Sequence, residues 1–103
     1  MQIETIRELV KREKIVWSKH FSKRLRERAI TQADVVYCVL HGEIIEDYPN
    51  AYPYPACLIY GVTICREDIH IVVGMNEEYV YMVTGYYPSL EKFESDLKTR
   101  RVK

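Results

Sequence analysis

No apolar run in these 103 residues approaches the ~20 positions that a membrane-crossing helix needs. The opening MQIETIRELVKREK also has neither the apolar stretch nor the small-residue cleavage site of a secretory leader. The expectation is a cytoplasmic protein without membrane contact. Cysteine is scarce: Cys38, Cys57 and Cys65 are odd in number, lie in apolar settings and form no C-x-x-C pair. That argues against a disulfide framework and a zinc site, and for reduced, buried thiols. Missing as well are the glycine-rich phosphate loops G-x-x-x-x-G-K-[ST] and G-x-G-x-x-G, the G-x-S-x-G nucleophile turn and any His/Cys/Asp grouping at metal-ligand spacing. These absences argue against nucleotide-cofactor, serine-hydrolase and zinc chemistry, and neither cofactor nor metal is expected.

Excess charge of one sign is absent too, but the zero hides a polarity. Residues 1–30 carry a net +5, residues 31–99 a net −8 and residues 100–103 a net +3. Such a chain can turn a cationic face to an anionic partner if its ends meet, or hold two basic ends against its own acidic middle. Hydrophobic residues make up 48% of the chain, enough for the core of a single domain spanning 1–103.

Ile3, Ile6, Leu9 and Val10 recur at helical spacing and predict a helix over 2–13. Ser18 is a candidate N-cap for a second helix through about Arg28, with Phe21 and Leu25 as its apolar stripe. Thr31, with Asp34 three residues on, reads as a capping box opening a third helix that carries Val35, Val36, Val39 and Leu40 and stops at a left-handed Gly42. The period then becomes extended. EIIEDY, CLIYGVTI, DIHIVVGM and YVYMVTGYY are rich in β-branched and aromatic residues and are separated by a proline loop, PNAYPYPA, and short polar turns. Ser89 is expected to cap a closing helix with Leu90, Phe93 and Leu97 on its apolar stripe. The fold class is therefore α+β: three short N-terminal helices, a four-stranded antiparallel meander and a C-terminal helix, with helices on one sheet face.

Three groups of residues could carry chemistry. In WSKHFSKRLRERAIT the side chains of His20, Arg24 and Arg28 fall on nearly one helical line, with Lys23 alongside. Arginine offers a planar fork for phosphate, and histidine titrates near neutrality. A solvated face with Glu27 and Asp34 as ion-pair partners accounts for the same run. His70 is the second: in IHIVVG it faces away from Ile69, Ile71 and Val73. A tight turn pairing residue 75 with 79 would set it opposite Thr84 and one strand repeat from Tyr86; a half-buried structural histidine is the alternative. Third are the tyrosines, nine in all, concentrated in the strands and the proline loop. They suit base stacking or phosphate donation, and equally suit packing.

In order along the chain, WSKHFSKRLRERAITQADV, GEIIEDYP, PYPACLIYG, IHIVVG and TGYYP resemble the bacterial domain of unknown function family four-two-five-eight. That resemblance sets Trp17, His20, Arg24, Arg28, Asp34, Glu46, Pro55, Gly61, His70, Thr84 and Tyr86 at motif positions. Phe21 stands where the family has a small residue and Phe93 where tryptophan is common. No reaction comes with the family. A looser similarity of layout connects it to BrnT-like and RelE-like toxins of toxin–antitoxin pairs, which are small RNA-cleaving domains.

On the toxin reading, His20 or His70 serves as general base or acid, Arg28 and Arg24 hold phosphate, and Tyr86 stacks or donates a proton. Trp17, Lys23, Arg100 and Arg101 contribute outer contacts to RNA. An antitoxin protein would then be a partner. That reading requires the His20 helix face and the His70 sheet face to border one groove. The competing reading is a non-catalytic protein- or nucleic-acid-binding module that docks through the basic helix or the proline–tyrosine loop. A catalytic histidine should be open to solvent beside arginine, and a structural one buried with both nitrogens satisfied.

Overall fold

The computed structural model describes residues 1–101; Val102 and Lys103, the end of the basic tail, lie outside the described residues. The elements in chain order are α1 (Ile3–Lys11), β1 (Ile15–Trp17), α2 (Lys19–Glu27), α3 (Gln32–His41), β2 (Glu43–Tyr48), β3 (Ala56–Val62), β4 (Asp68–Met75) and β5 (Val80–Tyr86).

The caps follow the local chemistry. The Ser18 hydroxyl accepts from the Phe21 amide, and Thr31 and Asp34 exchange the two bonds of a capping box. Both α1 and α2 end in the double-bonded reversal that makes a chain leave a helix sharply: Lys14 N–H donates to Leu9 and Glu13 N–H to Val10, then Ile30 N–H to Leu25 and Ala29 N–H to Arg26. The left-handed position is filled by Glu13 and by Ala29, at φ 59° and 56°. Gly42, by contrast, is extended at φ −91°, not left-handed as expected. Its lack of a side chain serves close approach instead, because a Cβ there would lie 2.4 Å from the Tyr60 carbonyl oxygen and 2.5 Å from that of Cys38. Arg7 reaches from α1 to donate to the Val39 and Gly42 carbonyls, satisfying the open end of α3.

β2 to β5 form the expected antiparallel meander, but the sheet has five strands in the order β1-β5-β4-β3-β2. The added strand, β1, runs parallel to β5 and pairs Ile15, Val16 and Trp17 with Val80, Tyr81 and Met82. Three residues are too few to show alternation, so its strand character comes from the β5 edge and not from local pattern. β1 covers only the first half of β5. The edge beyond Met82 is left open to side-chain donors.

All three helices pack on one sheet face. Ile6, Val10, Phe21, Leu25, Ile30, Val35, Cys38 and Val39 meet Cys57, Ile59, Ile69, Ile71, Val73, Val80 and Met82 there, all buried. Burial pushes the Cys38 and Cys57 thiols up to about 12, whereas Cys65 is exposed in the β3–β4 turn, contrary to the expectation of three buried thiols.

The opposite sheet face is covered along part of its length by residues 88–101, where no closing helix forms. Lys92 and Phe93 amides bond back to Ser89, a single turn, and the chain then folds into a narrow loop closed by a Phe93–Arg100 bridge. The Asp96 carboxylate takes the Lys98 and Thr99 amides, and Leu97 adopts φ 59°. An Asp that captures the amides following it competes with helix hydrogen bonding. Of the expected stripe Phe93 is buried, whereas Leu90 is largely exposed. This strap is clipped to acidic β2 by Arg100 on Glu46 and Lys98 on Glu43, and Arg101 pairs with Glu94, so the described part of the basic C-terminal run is held against the acidic middle. Among the described residues no helix is long and apolar enough to cross a membrane.

Candidate functional site

His70 stands opposite Tyr86, not Thr84. The β4–β5 turn pairs Met75 with Val80, and a bulge then advances the register, so that Val73 faces Met82 but Val72 faces Thr84. Val83 is the extra residue of β5. A turn one residue longer than expected, plus one bulged residue, moves the partner of His70 by two positions.

His70 is fully buried between the sheet and the strap. Its Nε2 donates to the Leu97 carbonyl at 2.7 Å, and a neutral ring with that proton must accept at Nδ1. The acceptor site faces the Tyr86 hydroxyl at 3.4 Å. The Phe93 ring stands perpendicular to the His70 ring, at 88°, with the ring centroids 4.6 Å apart. Burial lowers the His70 pKa from its ordinary 6.5, against the pull of the Leu97 carbonyl, so the neutral tautomer is the resting form at neutral pH. Burial also raises the pKa of Tyr86, whose hydroxyl keeps its proton.

Tyr86 opens into a cavity of about 430 Å³ lined by Arg28, Tyr86, Tyr87, Ser89, Lys92, Phe93 and Arg100. Three elements build it. The reversal at Ala29 ends α2 so that Arg28, its C-cap, reaches across the open edge of β5 and donates from Nη1 to the Gly85 carbonyl at 2.5 Å. β5 supplies Tyr86, and the strap supplies Ser89, Lys92 and Arg100. Arg100 lies over the Phe93 ring at 4.8 Å and grips Glu46 through two bonds of 3.0 and 2.9 Å. Glu46, which also accepts from Tyr48, is held below the usual carboxylate range chiefly by that arginine. Glu46 thus neutralises one of the three cations. Among the described residues ion pairs engage Arg12, Arg24, Lys98, Arg100 and Arg101, but neither Arg28 nor Lys92. The cavity therefore has net positive potential, lined by an arginine fork, an ammonium and the hydroxyl-bearing side chains of Tyr86, Tyr87 and Ser89.

Of the residues expected at a site, Arg28, Tyr86 and Arg100 come together around this cavity, with His70 directly behind Tyr86. His20 does not join them. It is exposed at the start of α2, two turns from Arg28 and on the helix-covered side of the sheet, while His70 faces the other side. The shared groove is absent. Lys23 and Arg24 are exposed on α2, with Arg24 paired to Glu27 at 3.2 Å. Trp17 is half-buried against Phe21 and lines a shallow depression beside α3. Arg101 is tied within the strap to Glu94 and the Leu90 carbonyl. Asp34 is no ion-pair partner of the basic run, because its carboxylate accepts the Thr31 and Ile64 amides. Lys92 carries no sequence signal, Ser89 was expected only as a helix cap, and Tyr87 only as one of the nine tyrosines; the structure gathers all three beside Tyr86. Among the described residues no three His, Cys, Asp or Glu side chains converge to hold a metal.

The fold and cavity define a small α+β domain with a cationic, tyrosine-lined pocket at one end of its sheet. The chain belongs to the family described as Domain of unknown function (DUF4258), whose pattern matches residues 17–87. Arg28, Glu46, His70 and Tyr86, four separated positions of the motif quoted above, meet at or directly behind this cavity. No curated protein and no solved structure matches the chain.

Proposed function

We propose that this domain is a metal-independent endoribonuclease of the toxin–antitoxin kind, working in the Arg28–Lys92–Tyr86 cavity. The observation that carries the reading is the meeting of two unneutralised cations with a tyrosine hydroxyl that is hydrogen-bonded to a buried, neutral histidine. A phosphodiester seats between Arg28 and Lys92. The 2′-hydroxyl gives its proton to Tyr86 Oη as the tyrosine passes its own to His70 Nδ1, and the 2′-oxygen attacks phosphorus. Arg28 carries the charge that grows on the phosphoryl oxygens. The P–O5′ bond breaks, and the leaving oxygen takes a proton from Lys92, leaving a 2′,3′-cyclic phosphate and a 5′-hydroxyl end. The proton on His70 returns through Tyr86 to solvent, which reprotonates Lys92.

In this reading Arg100 positions the strap and contacts phosphate from outside. Trp17, His20, Lys23, Arg24 and Arg101 serve as flanking RNA contacts. An antitoxin is the implied protein partner.

One observation favours a second reading, a non-catalytic nucleic-acid-binding module: His70 is fully buried and both its ring nitrogens are engaged. Single-stranded RNA incubated with the protein in excess chelator separates the two. The nuclease reading expects cyclic-phosphate ends, a rate loss of about 100-fold or more in Tyr86→Phe, and loss of both binding and cleavage in Arg28→Ala. Tight binding without cleavage leaves the binding module. Neither binding nor cleavage refutes both.

A further inference from the structure

A second concavity lies on the same sheet face as the cation-lined cavity, and its chemistry is the opposite. It encloses about 350 Å³ and is almost without polar atoms. Val72, Gly74 and the half-exposed bulge residue Val83 form its floor, and Tyr54 stacked on Tyr81 at 4.9 Å forms one wall. Tyr52, on the proline loop, is 96% exposed at its rim. Exposed valine and tyrosine around an apolar hollow is not what solubility selects. The volume accepts one or two large apolar side chains.

The surrounding charge says which kind of molecule brings them. No lysine or arginine lines this groove. Tyr54 is shared with an adjoining depression bounded by Asn76, Glu77 and Glu78, and among the described residues neither glutamate is ion-paired. Two free carboxylates repel a phosphate backbone and attract a basic segment. From Val72 to the turn at Asn76 is about 13 Å along β4, three to four residues of an extended chain.

We propose that the tyrosine groove docks a protein partner through a peptide segment with an aromatic or branched apolar anchor and a lysine or arginine three or four residues away. The anchor fills the hollow over Val83 and the cation reaches Glu77 or Glu78. This goes beyond the RNA reading and does not depend on it, since none of these residues borders the cationic cavity.

The test is selection from a displayed library of random twelve-residue peptides on the immobilised full chain, followed by titration of the enriched peptide in synthetic form. Expected are sequences with an apolar anchor and a base at that spacing. Their affinity should fall tenfold or more in Val83→Asp, and several-fold in the Glu77→Lys, Glu78→Lys double variant, with unchanged circular dichroism in both. The surface variants guard against misfolding, because Val83 is half-exposed and both glutamates are exposed. Enrichment of acidic peptides, binding indifferent to Val83→Asp, or no enrichment overturns the proposal. So does binding of labelled oligouridine that is lost in Val83→Asp, which would make the groove an RNA subsite. Self-association of the chain lost in the same variant overturns it as well, in favour of a second copy.

Discussion

Phe93→Ala is the sharpest perturbation of the strap. Phe93 is 1% exposed in a segment whose neighbours Lys92 and Glu94 are exposed, so its ring is the buried apolar anchor of residues 88–101, beside the polar ties of Leu97, Lys98 and Arg100. Burying about 150 Å² of ring at about 25 cal/mol per Å² contributes about 4 kcal/mol. The edge contact with His70 and the stacked Arg100 guanidinium add about 1 kcal/mol. That gross figure of about 5 kcal/mol is an upper bound. The strap can detach while the sheet and helices stay folded, and the loss then stops at the free energy of closing the strap. The expected outcome is a loss of about 2–4 kcal/mol in urea unfolding, with a smaller m value because the variant's native state already exposes the strap. With the ring gone, water reaches His70, and its NMR titration should move up toward the ordinary value. A loss under about 1 kcal/mol, with m and the His70 titration unchanged, would refute the idea that Phe93 anchors the strap.

Acid sensitivity should follow from His70. Its folded pKa lies below the unfolded value of 6.5, so the neutral form's stabilisation is fully present above that value and is lost as pH falls from 6.5 toward the folded pKa. Glu46, held down chiefly by Arg100, adds its own loss only as pH falls below 4.5 through its folded value. Unfolding free energy measured between pH 7 and 5 should therefore decline, and a flat profile there would argue against a proton-poor His70. Ala29→Gly should raise stability by about 0.5–1 kcal/mol, because glycine removes the left-handed cost that exceeds its extra chain entropy. A lowered thermal midpoint would show that the Ala29 methyl contributes packing that outweighs this strain.

The legible parts of this fold are those where local chemistry and tertiary context agree. Ser18, Thr31 and Asp34 act as caps, and the alternation of Ile69, Ile71 and Val73 against His70 and Val72 sorts the two faces of β4. Illegible were the features decided by partners distant in sequence. β1 is three residues borrowed by the β5 edge, and the strap has a helical spacing of apolar residues that the Asp96 turn overrides. The residue types of the site, Arg28, His70, Tyr86 and Arg100, could be read from the sequence, but not their assembly. A basic helix face suggested a line of His20, Arg24 and Arg28. The structure keeps only its last member, because the helix reversal at Ala29 turns that arginine toward Gly85. Lys92 escaped notice since a lone lysine in a polar segment carries no signal until the strap is placed.

The bulge at Val83 has a consequence for how this domain can vary. Tyr81 and Tyr86 are five residues apart, an odd interval that in a regular strand would send them to opposite faces; the single inserted residue brings both onto the face that His70 and Gly74 share. The two hollows therefore depend on the length of β5 more than on any one side chain. Substitutions between Tyr81 and Tyr86 would retune one hollow at a time. Removing a single residue there would turn Tyr86 into the helix-packed core, or Tyr81 if the turn gave way first, and so abolish one hollow outright.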